Sequence, residues 1–319
     1  MRSKPTPGRT TPSTHPPSTR TAGETGRVKD LVLRTGSEAF RLIGSLTAAW
    51  RPLPDFLLIG TKRGGTTSFY YDLLKVPQIV PMFPSAKHLP KANETKGVHF
   101  FDSNYHRGLR WYRSYMPTRG ARDRAARRLG MPVLVGEASP YYLFHPLAAQ
   151  RAHEAMPDAK IVLLLRDPVQ RTYSHWKERR RSNAEPLSFE DALAAEPERL
   201  KGEEEKLAND PRYYSYAHEQ QSYFSQSLYA KSLRRWADLF GMSNILVITS
   251  EEYYANQPAM IAQTAEFLGL DVESVAADAR MNAAIGEPLS PELESRLRRE
   301  FAADRHELEA MVGRSLPWP

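Results

Sequence analysis

The residues best suited to chemistry in this 319-residue chain form a short loop of glycines, cations and hydroxyls. Residues 60–65 contain three glycines and two cations, and residues 66–68 each carry a hydroxyl. The loop residues are Gly60, Lys62, Arg63, Gly64, Gly65, Thr66, Thr67 and Ser68. Glycines let backbone N–H groups approach an anion, and a following helix would direct its free amides at it. We therefore predict an anion cradle, the alternative being a tight turn without a ligand.

The flanking sequence supplies the elements that such a cradle needs. Residues 56–59 are a short apolar run, which is typical of a buried strand. Residues 66–74 place Phe69, Leu73 and Leu74 at helical spacing. The stretch thus predicts a strand, a glycine turn and a helix in succession.

The position of the lysine distinguishes this loop from a nucleoside-triphosphate loop. The pattern GxxxxGK[ST] places a lysine directly before the hydroxyl residue. Gly60 and Gly65 have that spacing, but Thr66 stands where the lysine belongs, and the lysine is Lys62. This arrangement resembles the loop with which sulfotransferases bind the 5′-phosphosulfate of 3′-phosphoadenosine-5′-phosphosulfate (PAPS).

A second anion site is predicted at the end of the most apolar strand, residues 161–165. Arg166 follows that strand, and ligands bind at the carboxyl ends of strands in such sheets. Ser174 lies about two turns into the next helix, so a guanidinium and a hydroxyl could hold one phosphate there. The alternatives are a helix-flanking ion pair for Arg166 and an ordinary surface serine for Ser174.

Taken together, four motifs resemble those of PAPS-dependent sulfotransferases, above all the heparan-sulfate type and its bacterial relatives. They are residues 56–68, 96–102, 136–140 and the Arg166-Asp-Pro-x-x-Arg-x-x-Ser174 motif. The similarity covers roughly residues 52–319. The resemblance implies that Lys62 contacts the 5′-phosphate and the bridging oxygen, that residues 64–68 hold the phosphosulfate, and that Arg166 and Ser174 hold the 3′-phosphate. It also implies PAPS as co-substrate, its desulfated form 3′-phosphoadenosine-5′-phosphate (PAP) as product, and no metal.

The general base is an open question, because the sequence departs from the family at one position. In heparan-sulfate-type enzymes the stretch reads Lys-Glu-x-x-Phe-Phe and the glutamate is the base, whereas this chain has Gly97. His99 is the first candidate instead, since an imidazole suits general-base work. Glu137, at a strand end, is the second, and Asp102 is a residue that could orient His99. The alternatives are a structural histidine packed between its neighbours for His99, a helix cap or a loop hydrogen bond for Glu137, and a hydrogen bond to the next turn for Asp102.

The order of elements predicts an α/β fold of the P-loop nucleotide-binding type. Further strands are expected at residues 133–136 and 245–248, with helices between the strands. This alternation favours a central parallel sheet flanked by helices. We assign residues 1–51 to a basic, largely disordered extension with a short helix within residues 28–50, and residues 52–319 to the catalytic domain.

Composition narrows the function further. The chain has no cysteine, which excludes disulfides, thiolate metal sites and a cysteine nucleophile. Residues 1–51 hold nine Lys/Arg and three Asp/Glu, so most of the formal net charge of +7 lies in the extension. That is weak support for a nucleic-acid partner. No apolar stretch approaches ~20 residues, so we expect no transmembrane segment. The lack of a targeting signal and the resemblance to bacterial enzymes favour a cytoplasmic location. The amphipathic residues 28–50 could lie on a membrane surface, although packing on the domain is favoured.

The acceptor is expected to be a carbohydrate first, then a lipid or small-molecule hydroxyl. Contacts are expected from the proline-rich segment after the first helix and from residues 105–116 and 213–224, with Trp111 and Trp236 as core residues. The basic cluster 177–181 either receives an acidic glycan or is a solvated helix face. The competing functions are a small-molecule kinase and a non-catalytic protein with a PAPS fold.

Overall fold

The computed structural model describes residues 42–83, 96–271 and 289–319. The strands are β1 (Phe56–Gly60), β2 (Gly136–Ala138), β3 (Lys160–Leu165) and β4 (Ile245–Thr249). The α-helices that flank the first three strands are α1 (Thr66–Leu73), α2 (Gly108–Arg113), α3 (Arg119–Leu129), α4 (Ala148–Ala155) and α5 (Pro168–Arg181). Those of the second half are α6 (Phe189–Leu200), α7 (Glu203–Asn209), α8 (Tyr216–Gln220), α9 (Tyr229–Phe240), α10 (Ser250–Ala255), α11 (Gln257–Phe267) and α12 (Pro291–Val312).

The four strands form one sheet in the order β2-β1-β3-β4, and every pair is parallel. β1 and β3 are therefore the central strands, and the loops that follow them open at the same edge. Because the carboxyl ends of parallel strands meet at one edge, the glycine loop after β1 and Arg166 after β3 become neighbours. The predicted α/β fold with a central parallel sheet is confirmed.

Alternate side chains of the central strands enter two different cores. Leu57 and Leu163 belong to one apolar cluster, which α4 and α9 cover with residues such as Trp236. Leu58 and Val162 belong to the other, which α1 and α11 cover. A strand buried on both faces reads as a continuous apolar run, which explains why β1 and β3 were predictable from sequence.

The second strand lies further along the chain than the apolar run at residues 133–136 indicated. β2 covers Gly136–Ala138, and Leu134 makes only an isolated parallel bridge with Ile79. The buried strand includes the polar Glu137, whose carboxyl group is fully hydrogen-bonded inside the protein. Hydrophobicity therefore located the strand three residues too early.

The helix after β3 begins with a side-chain cap and a proline. The Asp167 side chain accepts a hydrogen bond of 3.0 Å from the amide of Gln170, and Pro168 occupies the first helical turn. This cap fixes the direction in which α5 leaves the sheet. The helix runs to Arg181. Its Ser174 lies beside the glycine loop, because Ser174 Oγ is 3.4 Å from Arg63 Nε.

The described end of the N-terminal extension contacts the domain. Residues 42–46 are helical, Arg110 donates a hydrogen bond of 3.1 Å to Ser45 O, and Arg51 donates to Met116 O. Residues 1–41, which carry most of the predicted extension, lie outside the described residues. Within the described residues, no helix combines the length and the apolar character that crossing a membrane requires.

Candidate active site

The glycine loop packs tightly against its neighbours at two glycines. A Cβ at Gly64 would lie 2.8 Å from Leu164 O, and Gly65 has a φ of +86° with the Tyr254 hydroxyl 2.6 Å from where a Cβ would be. Only glycine fits such positions without displacement of the backbone. Ser250 also donates a hydrogen bond of 2.5 Å to Gly64 O. The turn is therefore held in one conformation before α1 begins at Thr66.

The loop forms one wall of a cavity of about 1200 Å³. Seven consecutive loop and helix residues, 62–68, line it, together with Arg166 and Ser174. The remaining charged side chains of the lining are Lys96, Lys177, Glu178, Arg179, Arg180, Arg181 and Glu251. Cations thus outnumber anions strongly, and the amides of the first turn of α1 add to the positive potential.

The two predicted anion sites meet through Arg63. The guanidinium of Arg166 donates to Arg63 O over 3.2 Å, and Arg63 Nε lies 3.4 Å from Ser174 Oγ. The structure therefore brings together all nine predicted donor-binding residues at one cavity. Arg166 and Ser174 thus lie beside the loop on the wall of the same cavity.

Lys62 is held by the short helix α8. Its Nζ lies 3.0 Å from Glu219 Oε1, 2.8 Å from Gln220 Oε1 and 3.3 Å from Glu219 O. Burial lowers the pKa of Lys62, while the ion pair with Glu219 acts in the opposite direction. Neither Glu219 nor Gln220 was singled out from sequence as a partner of the loop, since they lie more than 150 residues away.

Lys96 is a third cation at the loop. Its Nζ lies 3.1 Å from Thr66 Oγ1 and 3.0 Å from Thr67 Oγ1, at the start of α1. Burial lowers the pKa of Lys96 to about 8, with Glu137 acting in the opposite direction. Lys96, the first residue of the 96–102 motif, therefore lies on the cradle itself.

His99 and Asp102 form a pair. His99 Nδ1 lies 2.8 Å from Asp102 Oδ2, and the His99 side chain is 38% exposed. Burial alone would lower the pKa of His99, but the charge of Asp102 and this hydrogen bond raise it to about 9. Among the described residues, the cavity lining does not include His99. Its role as a base stays a prediction, and at neutral pH the imidazole carries a proton.

Glu137, the other predicted base, has no exposed surface. Its carboxylate accepts hydrogen bonds from Val98 N over 2.8 Å, from Tyr112 OH over 3.3 Å and from Ser139 Oγ. Burial raises the pKa of Glu137. These contacts join the segment 96–101 to β2, and the carboxylate does not reach the cavity in this conformation.

Arg171 connects the loop to the segment after α8. This fully buried residue donates to Lys62 O over 3.0 Å, to Tyr223 O over 2.8 Å and to Gln226 Oε1 over 2.8 Å. It is the second arginine of the Arg166-to-Ser174 motif, and its spacing from Arg166 was the sequence signal for its importance. No role was assigned to it from sequence.

The arrangement defines a class of protein: a P-loop-like α/β fold whose cationic loop can hold a phosphate or sulfate group. In the parts of the chain that the structure describes, no cluster of histidine and carboxylate side chains is placed to hold a metal ion. The lysine and arginine side chains of the cavity lining are the groups placed to meet the charge of a bound anion.

Residues 53–300 match the family of sulfotransferase domains, so the chain belongs to the sulfotransferase family. It is 24% identical over 332 residues to the membrane-associated sulfotransferase kil1 of Dictyostelium discoideum, covering 83% of this chain and 66% of that protein. It is 30% identical over 225 residues to the human bifunctional heparan sulfate N-deacetylase/N-sulfotransferase 3, covering 68% of this chain. The chain spans only 22% of the length of that second relative.

A solved structure agrees with this assignment. The crystal structure of a sulfotransferase from Alicyclobacillus acidocaldarius superposes with a TM-score of 0.58 at 30% sequence identity. The match covers 83% of this chain and 98% of that one. The predicted family resemblance is therefore confirmed over the domain that carries the cavity.

Proposed function

We propose that this protein transfers the sulfuryl group of PAPS to a hydroxyl or amine of a carbohydrate acceptor. The observation that carries the proposal is the meeting of two anion sites on one cavity wall. Lys62 and the first turn of α1 form one, and Arg166 with Ser174 forms the other. A donor with a phosphosulfate at one end and a 3′-phosphate at the other fits such a pair of sites.

The donor is assigned residue by residue. Residues 64–68 and the amides of α1 hold the 5′-phosphosulfate, with Lys96 added from the facing segment. Lys62 stabilises the negative charge that develops on the bridging oxygen as the sulfur–oxygen bond breaks. Arg166 and Ser174 hold the 3′-phosphate through charge-assisted hydrogen bonds. No step in this scheme needs a metal.

The acceptor side is assigned to the segment around α8. Tyr214 and Tyr216 are 47% and 42% exposed, and their hydroxyls interact with Gln220 and Arg179 of the cavity lining. Exposed tyrosines beside a polar cavity can stack on sugar rings and bond hydroxyls. The cations of α5 that line the same cavity favour an acceptor with acidic groups.

A small-molecule kinase, the competing function, would need the acid at the end of β3, Asp167, as a magnesium ligand. Asp167 Oδ1 accepts from Gln170 N over 3.0 Å, and Asp167 Oδ2 pairs with Arg298 at 3.0 Å. The side chain is buried, so both oxygens are occupied by the cap and the ion pair. A carboxylate whose two oxygens are bound in this way is not placed to coordinate a magnesium ion beside a nucleotide.

Sulfate transfer tests the proposal. The purified chain is incubated with ³⁵S-labelled PAPS and a panel of acceptors: unsulfated glucuronate–glucosamine polymer, chitosan oligosaccharides and an alkyl glucoside. We expect labelled product from at least one carbohydrate, and a loss of about 100-fold or more in Lys62→Ala. Full activity of Lys62→Ala would reject the proposed function. A wild type that releases no PAP from PAPS, with water alone or with any acceptor of the panel, would also reject it.

A further inference from the structure

The short helix α8 presents a carboxylate to the catalytic lysine. Glu219 Oε1 lies 3.0 Å from Lys62 Nζ, and the two side chains are 12% and 16% exposed. The next residue, Gln220, shares the lysine and lines the cavity. Glu219 is not itself among the described residues that line the cavity, but its partner Lys62 and its neighbour Gln220 both are.

The position of Glu219 is fixed by buried hydrogen bonds. Gln226 Nε2 donates to Glu219 O over 2.8 Å and to His218 O over 3.2 Å, while Ser215 Oγ caps α8 by accepting from His218 N. Arg171 binds Gln226 and the carbonyl of Lys62 at once. One arginine therefore sets the distance between the glycine loop and the helix that carries Glu219.

The other acidic candidates are less suited to take a proton. Position 97 has no room for a side chain, because a Cβ there would collide with Ala138 O and lie 2.9 Å from Ser139 Oγ. Glu137 is buried under three hydrogen bonds. Glu178 lines the cavity, but both of its oxygens are bound to the Arg179 guanidinium at 2.5 Å.

We propose that Glu219 is the general base that deprotonates the acceptor, a role that rests on the proposed function. The acceptor O–H or N–H gives its proton to a Glu219 oxygen as the acceptor oxygen or nitrogen forms its bond to sulfur. The bond between sulfur and the bridging oxygen breaks, and its electron pair leaves with PAP, where Lys62 meets the charge. Glu219 then releases the proton to water.

The exchange of partners follows from the ion pair. Before the donor binds, Lys62 is occupied by Glu219 and Gln220. Once Lys62 turns to the leaving oxygen, the Glu219 carboxylate faces the incoming acceptor with an open lone pair. The alternative is a latch, a residue that only holds Lys62 before the donor binds. A latch would affect donor binding and leave the chemical step unchanged, whereas a base acts in the chemical step.

The test compares Glu219→Gln and Glu219→Ala with wild type in the full-length chain. Turnover is followed as PAP release from PAPS, with water alone and with the carbohydrate acceptor found above, and PAP affinity is measured by calorimetry. We expect kcat of both variants to fall about 10²- to 10⁴-fold while PAP affinity does not weaken, because the loss of the ion pair leaves Lys62 free to bind the donor. Added formate should restore part of kcat in Glu219→Ala only. Glu205→Gln, on the exposed face of α7, is the matched control and should behave as wild type.

Three outcomes overturn the inference while the proposed function stands. One is an active wild type whose Glu219→Gln variant keeps its kcat. Another is a variant that binds PAP more tightly at unchanged kcat, which would make Glu219 a latch. The third is a loss of kcat in Glu178→Gln with Glu219→Gln unaffected, which would make Glu178 the base. A wild type that releases no PAP under any condition overturns both proposals together.

Discussion

The guanidinium of Arg171 donates a hydrogen bond of 3.0 Å to the main-chain carbonyl of Lys62, although the two residues lie on different elements. Arg171 is completely buried, and burial lowers its pKa to about 10, so it stays charged at neutral pH. Its other donors reach Tyr223 and Gln226 beyond α8. The glycine loop and the segment that follows α8 are therefore held by the same side chain.

Replacement of Arg171 should cost both stability and function. In Arg171→Met, several buried carbonyl acceptors lose their donor, and each unsatisfied group costs about 1–3 kcal/mol. We expect the free energy of unfolding to fall by roughly 3 kcal/mol or more in denaturant titrations. Arg128→Met, at an exposed position of α3, is the control and should change it by at most about 0.5 kcal/mol. An unchanged unfolding midpoint for Arg171→Met would contradict this account.

The glutamate that heparan-sulfate-type enzymes carry cannot be restored at position 97 without strain. A side chain in Gly97→Glu would press on the Ala138 carbonyl and on Ser139 Oγ, which are fixed by β2 and by Glu137. We expect a loss of about 1–3 kcal/mol in thermal or chemical unfolding and no gain in turnover. Gly120→Glu, in the open first turn of α3, should be tolerated. Higher turnover of Gly97→Glu would show that the site accepts the family's base after all.

The sequence was sufficient where function and fold use local signals. The apolar runs of β1 and β3 and the glycine loop all act within a few residues, and each was predicted from its own stretch. Contacts between distant segments were not predicted, because nothing in the sequence pairs Glu219 with Lys62. Buried polar groups were misleading in the same way, since Glu137 reads as a free acid until its hydrogen bonds are seen.

The affinity for PAP should depend on pH through Lys96. Burial lowers the pKa of Lys96 to about 8, so the group is charged below that pH and becomes neutral as pH rises through it. An anion at Thr66 and Thr67 prefers the charged form, and we expect PAP affinity to weaken between about pH 7 and 9. Calorimetry across this range should show a smaller change in Lys96→Arg, because arginine keeps its charge. An identical pH dependence in both proteins would exclude Lys96 as its source.

His99 should titrate well above the usual histidine range. Asp102 raises the pKa of His99 to about 9, so the pair stabilises the fold fully below about pH 6.5 and less as pH rises through 9. NMR titration of the imidazole should show this value in wild type and a lower one in Asp102→Asn. A wild-type titration near 6.5 would contradict the role assigned to Asp102.

The most direct test of the account is whether the protein distinguishes a 3′-phosphate. Calorimetric titration compares PAP with 5′-AMP, which lacks that group, in wild type and in the double variant Arg166→Ala/Ser174→Ala. Two charge-assisted contacts predict at least about 100-fold tighter binding of PAP by wild type, and a preference of less than about fivefold in the double variant. Equal affinity of wild type for the two nucleotides, or tighter binding of ATP with magnesium than of PAP, would contradict the two-site reading of this cavity.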